Sequence, residues 1–134
     1  VQELKLPRIV FVEHQPHDRM PLWQGAADVL ILPNTAKEEA SRLETSPVKL
    51  FEYLSSGHPA VVSDLPSIRD VVSDREVFFF EPDDAIALAR TICAVLASPE
   101  EAKVRSEAAQ ALARRHSWES RSGAIAAFIG ERTS

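Results

Sequence analysis

The sequence predicts an α/β fold, a doubly wound, Rossmann-like parallel sheet followed by a helical C-terminal tail. Three observations predict it. Short β-branched and aromatic runs alternate with helix-length segments between Arg8 and Phe80. Those runs are apolar at successive positions, as in strands covered on both faces. After Pro82 no further strand-like run occurs, and only helical periodicity remains. Alternation of this kind means βαβ units and a parallel sheet.

The elements follow in order. Arg8-Ile9-Val10-Phe11-Val12 reads as a buried strand, and Glu13 to Asp18 as a polar loop. Arg19 to Ala27 reads as a short helix, with Pro21 tolerable in its first turn. Asp28 to Leu32 is a second strand stopped by Pro33-Asn34, and Thr35 to Thr45 is a charged loop without apolar period. Ser46-Pro47 opens a helix, Ser as N-cap and Pro at the first helical position, and Gly57 closes it after Ser56. Ala60-Val61-Val62 is a third strand, Pro66 to Ser73 another Pro-opened helix, and Val77 to Phe80 a fourth strand. Asp83 or Asp84 caps a helix to about Ala97, and Ser98-Pro99 opens one reaching Arg115. Ser117-Trp118 opens a last helix, with Trp118, Ile125, Phe128 and Ile129 as its apolar stripe. No internal repeat or low-complexity linker interrupts residues 1–134, which are expected to form a single domain.

Composition narrows the function. The 134 residues are 45% apolar and 26% charged, a soluble globular balance with a formal net charge of -5. An acidic chain lacks the clustered cations of nonspecific nucleic-acid binding. No apolar run approaches the roughly 20 residues of a membrane span, and no secretory signal pattern is present. One cysteine, Cys93, permits no internal disulfide and fits a reducing, cytoplasmic compartment. It lies between Ile92 and Val95 in a helix, where a buried, inert thiol is expected. Four glycines, Gly25, Gly57, Gly123 and Gly130, cannot write G-x-G-x-x-G or a P-loop. The chain starts at Val1 and its single methionine is Met20, so an excised or processed piece is expected.

In an open parallel sheet, ligands bind beyond the C-terminal ends of the strands. The richest such segment is Glu44-Thr45-Ser46-Pro47-Val48-Lys49-Leu50-Phe51-Glu52. It ends in a helix whose first turn offers unpaired N–H groups and a positive dipole end, suited to a phosphate or diphosphate. At 100° per residue, Leu50, Phe51 and Leu54 fall on one side, and Lys49, Glu52 and Tyr53 on the other. Spacing alone favours a solvated face carrying a Lys49–Glu52 pair at i,i+3 over a ligand site.

Taken together, these residues resemble the C-terminal half of a GT-B glycosyltransferase of the large retaining group called family 4, or glycosyl transferases group 1. The resemblance rests on Ala27-Asp28-Val29-Leu30-Ile31-Leu32-Pro33, Ser46-Pro47-Val48-Lys49-Leu50-Phe51-Glu52-Tyr53-Leu54, Gly57-His58-Pro59-Ala60-Val61-Val62-Ser63-Asp64 and the late Ser117-Trp118. Glu44 and Glu52 stand at the family's E-x7-E spacing. The similar stretch runs from near Arg8 to about Ile129.

The resemblance implies transfer of a sugar from a nucleoside diphosphate sugar, UDP- or GDP-type, to an acceptor, with retained anomeric configuration. It implies no metal or other cofactor, and a place in polysaccharide or glycoconjugate biosynthesis. Carried over by position, Glu44 is the candidate catalytic carboxylate beside the donor sugar hydroxyls. The amides around Ser46, Val48 and Lys49 meet sugar and phosphates, and Glu52 accepts from the ribose hydroxyls, for which a carboxylate offers about four lone-pair sites. Many relatives have an aromatic and a glycine where Ser46 and Pro47 stand. Pro47 brings no N–H, which leaves Lys49 to reach the diphosphate. The family's basic pair and its acceptor-binding N-terminal domain precede Val1, so the acceptor partner is unspecified and this piece alone is expected to be inactive. A sugar-nucleotide epimerase or phosphorylase on the same architecture, or a non-catalytic assembly module, is the alternative.

Other polar candidates have plainer readings. His14 and His17, with two residues between them in a loop without cysteine, make a poor zinc pair. His58 and His116 read as surface histidines, and Asp64 either faces the cleft or caps the loop before Pro66.

Overall fold

The protein is described from a computed structural model covering residues 8–39, 42–43, 48–116, 122–123 and 125–129. Its elements are α1 (Met20–Gly25), β1 (Leu30–Leu32), α2 (Val48–Ser56), β2 (Ala60–Ser63), α3 (Pro66–Arg69), β3 (Phe78–Phe80), α4 (Ala85–Ala97) and α5 (Pro99–Arg115). A single 3-10 turn, His17–Arg19, leads into α1. The three strands form one parallel sheet in the order β1-β2-β3. Leu30 pairs with Ala60 and Leu32 with Val62, while Val61 pairs with Phe78 and Ser63 with Phe80.

Both faces of the sheet are covered, as the unbroken apolar strands require. On one face Leu32, Ala60 and Val62 pack with Leu50 and Leu54 of α2, Ile68 of α3 and Ala109 of α5. On the other, Val61, Phe78 and Phe80 pack with Val95 of α4 and Ala102 of α5. Leu50, Leu54, Val61, Val62, Ile68 and Val77 are wholly excluded from solvent, each such side chain contributing about 1.5–3 kcal/mol. The doubly wound architecture and the helical tail are therefore those predicted.

Helix boundaries follow local chemistry. Asp84, rather than Asp83, is the N-cap of α4: its Oδ1 accepts from the Ile86 and Ala87 amides at 2.8 and 2.9 Å. The Pro66 helix is shorter than predicted, ending at Arg69 instead of Ser73. Glu76 Oε2 accepts from both the amide and the hydroxyl of Ser73, at 2.9 and 2.8 Å, and this local turn competes with further helix.

Arg8 to Val12 form no strand, and Ile9, Val10, Phe11 and Val12 are exposed. A run that is apolar on both faces becomes a strand only with a ladder neighbour and two covering layers, and among the described residues β1 pairs with β2 alone. Cys93 is exposed rather than buried. The buried stripe of α4 runs through Leu88, Ile92 and Val95, and Cys93 is turned 100° away from Ile92. In the tail, residues 125–129 are helical, with Ile125, Phe128 and Ile129 exposed, while Trp118 lies outside the described residues.

Helix α5 fixes which end of the sheet stays open. Its Arg105 Nη1 donates to the Val77 carbonyl just before β3 at 2.8 Å and its guanidinium covers the Phe78 ring. Gln110 Nε2 donates to the Ser55 carbonyl at 3.4 Å, near the turn into β2. That turn depends on Gly57, at φ +83, where an added Cβ would sit 2.7 Å from Gln110 Nε2. Gly57→Ala is expected to destabilise the protein by about 1–2 kcal/mol, chiefly through the left-handed backbone, read as a lower urea midpoint with an unchanged slope.

Candidate functional site

With α5 across the N-terminal strand ends, the C-terminal ends of β1, β2 and β3 lead into Pro33-Asn34, Asp64 and Glu81. This is the end at which parallel α/β sheets receive ligands. A hollow of about 250 Å³ lies there, lined by residues that include Pro33, Asn34, Ser63, Phe80 and Leu88.

The helix that opens next to β1 is α2, and the sorting of its faces agrees with the 100° rule. Leu50 and Leu54 are fully buried, and Phe51 is half-buried against the same core, its ring 5.8 Å from that of His116. Val48 and Lys49 are exposed and Glu52 is half-exposed. Neither Lys49 nor Glu52 forms an ion pair with another described residue, so the i,i+3 pair of the solvated-face reading is not made. Tyr53 departs from the predicted face and packs partly against the core. Burial, and next the charge of Glu52, push its phenol above the ordinary value, leaving a neutral hydroxyl beside that carboxylate.

The described residues thus bring Val48, Lys49 and Glu52 onto the first turns of α2, whose N-terminal amides carry the positive dipole end. Glu44 and Ser46 lie outside the described residues. None of Val48, Lys49 and Glu52 lines the hollow beside Phe80, which opens on the α4 side of the sheet.

Ser63 and Arg69, which sequence reasoning missed, and Asp64, for which it left two readings open, organise this end. Ser63, fully buried, donates its hydroxyl to the Asn34 carbonyl at 2.7 Å. Asp64 neither faces an open cleft alone nor caps the Pro66 helix through its side chain. Its carboxylate takes Arg69 in bidentate fashion, at 2.7 and 2.8 Å. Arg69 also donates to Asp74 and lies 3.5 Å above the centre of the Phe79 ring. The sequence signal was the five-residue spacing of Asp64, Arg69 and Asp74. His14 and His17 are exposed, and no group of three or more His, Cys, Asp or Glu among the described residues is arranged to hold a metal ion.

The Arg69 hydrogen bond holds the Asp64 carboxyl below its ordinary range. A depressed native pKa means that the pair stabilises the fold above the unfolded carboxylate pKa of about 4, and that this is lost as pH falls through the native value. Both side chains are more than a third exposed, so the term is below about 1 kcal/mol. Asp64→Asn is expected to lower the urea midpoint slightly at neutral pH, with the difference from the unaltered protein vanishing in acid. A difference that persists in acid would assign the effect to something other than charge.

A parallel sheet covered on both faces, with a helix start at its open end, is a doubly wound α/β domain. The family model "Glycosyl transferases group 1" matches residues 1–112, and the chain belongs to that family. Among solved structures it is similar to sucrose-phosphate synthase from Thermosynechococcus elongatus, with 25% identity and a TM-score of 0.74 over 96% of this chain and 30% of that one. It is also similar to HepE from Anabaena, a structure in complex with UDP, with 20% identity and a TM-score of 0.72 over 84% of this chain and 30% of that one. The C-terminal domain of the group 1 glycosyl transferase LpcC from Francisella tularensis matches at 16% identity and a TM-score of 0.58, over 78% of this chain and 49% of that one. The chain thus spans about 30% of the first two proteins. No curated protein matches it. No described helix is long and apolar enough to cross a membrane.

Proposed function

We propose that this chain is the donor-binding half of a two-domain, GT-B-type glycosyltransferase, and that the whole protein moves a sugar from a nucleoside diphosphate sugar to an acceptor with retained configuration. The bond between the anomeric carbon and the diphosphate oxygen breaks, and the diphosphate leaves with the bonding pair. A bond from the acceptor oxygen to the same carbon forms, and the proton of the acceptor hydroxyl passes to the departing diphosphate. The observation that carries this reading is the start of α2 at the open end of the sheet, with Lys49 exposed and Glu52 unpaired among the described residues. Family membership across residues 1–112 supports it.

The burden on this half is to hold the donor and to stabilise charge on the leaving diphosphate. Helix amides and a cation meet that demand, because they are oriented before the charge develops. In this assignment the amides at Ser46, Val48 and Lys49, with the Lys49 ammonium, receive the phosphates. Glu52 accepts from the ribose hydroxyls, and Glu44 faces the sugar. The UDP bound to HepE makes UDP the first nucleotide to try. No metal or other cofactor enters this scheme. The acceptor is bound by a domain outside this chain, and a cytoplasmic location fits a nucleotide-sugar donor.

In the full-length protein, Glu52→Gln is expected to weaken donor binding by about 1–3 kcal/mol, the loss expected for a charged hydrogen-bond acceptor. Calorimetric titration with UDP, GDP and ADP measures it, and unchanged affinity rejects the ribose role. Glu44→Ala is expected to reduce the rate of transfer more than the affinity for free nucleotide. Equal losses in a transfer assay and a UDP titration would contradict its sugar-facing role.

A further inference from the structure

Asp83 is the one non-glycine residue with positive φ among the described residues, at 61°. A left-handed conformation costs a residue with a Cβ about 1–2 kcal/mol, less for aspartate than for most, and such a cost persists only where surrounding contacts hold it. Helix capping does not explain it here, since Asp84 supplies the α4 cap. The left-handed backbone instead turns the Asp83 carboxylate across the open end of the sheet. Its Oδ2 accepts from the Ala36 amide at 3.0 Å, across 47 residues of sequence.

That contact completes a set of anchors on the segment leaving β1. The buried Ser63 hydroxyl holds the Asn34 carbonyl from the end of β2, and Thr35 Oγ1 accepts from the Lys37 amide at 3.2 Å. The Ala36 side chain rests on the core that contains Leu50 and Leu54 of α2. The loop from Pro33 to Lys37 is thus tied to β2, to the turn after β3 and to the inner face of α2. The outer face of α2 carries Lys49 and Glu52. Hydrogen bonds from Thr35 and then Ala36, with Lys37 nearby, hold the Asp83 carboxyl below its ordinary range, so it is ionised and purely an acceptor at neutral pH.

We infer that Asp83 is a positioning residue for nucleotide binding: through the Ala36 amide it fixes the loop after β1, and with it the approach to the start of α2. This inference rests on the donor-site reading of α2. Asp83 touches no nucleotide in this scheme; it sets where the loop lies before the nucleotide arrives, so its loss raises the cost of ordering that loop on binding.

The test compares Asp83→Gly and Asp83→Asn in the full-length protein. Glycine accepts the left-handed backbone but removes the carboxylate, whereas asparagine keeps both left-handed tolerance and an oxygen acceptor. Asp83→Gly is expected to speed hydrogen exchange at the Ala36 amide and to weaken UDP, GDP or ADP binding about three- to tenfold, without lowering the thermal midpoint. Asp83→Asn is expected to stay within about twofold of the unaltered protein, because the same N–H keeps its acceptor. Unchanged affinity in Asp83→Gly, or a loss no larger than its unfolded fraction accounts for, overturns the inference while leaving the donor site intact. If the unaltered protein binds none of the three nucleotides, the donor reading fails and the positioning role fails with it.

Discussion

The structure depends on one constraint, a parallel ladder that cannot tolerate water on either face. Val61 and Val62 point to opposite sides of the sheet and are both fully buried. Each therefore needs its own layer, which α2, α3 and α5 provide on one side and α4 and α5 on the other. Once strands run parallel, every strand-to-helix connection emerges at the same end. The candidate site is a product of that geometry: the start of α2 is exposed because the helix must be entered from where β1 leaves off.

Polar groups at this end act as fasteners for the connecting loops. Ser63 spends its hydroxyl on the Asn34 carbonyl, and Asp64 is clamped by Arg69 above the Phe79 ring. Asp83 and Asp84, adjacent in sequence, face different tasks because one is left-handed and the other extended. Together these contacts leave Lys49 and Glu52 unpaired with any described residue at the rim. A lysine without an ion-pair partner among the described residues, next to helix amides, suits an anionic ligand, and a carboxylate beside it suits a hydroxyl donor.

Much of the fold was legible in the sequence because its signals are local. Asp28–Leu32, Ala60–Val62 and Val77–Phe80 are too short and too apolar for surface helices, and Gly57 marks the end of α2 at the residue that adopts positive φ. Arg8–Val12 shows the limit, since strand residues declare a propensity but a ladder partner lies elsewhere in the chain. Cys93 was misplaced because a helix surface changes character within one residue. In the site, the outward turn of Lys49 and Glu52 was readable from angular spacing, whereas Tyr53 leans inward against the core. The Arg69 clamp and the Asp83 tie were invisible for a different reason: both join separate elements, and the second depends on a backbone angle that aspartate seldom adopts.

The central claim is that a nucleoside diphosphate is held at the start of α2. A crystal structure of the full-length protein soaked with UDP or GDP tests it most directly. The diphosphate is expected against the amides at Val48 and Lys49, with the ribose hydroxyls within hydrogen-bonding distance of Glu52. A nucleotide seated instead in the hollow beside Phe80 and Leu88, with Glu52 facing bulk water, would contradict it.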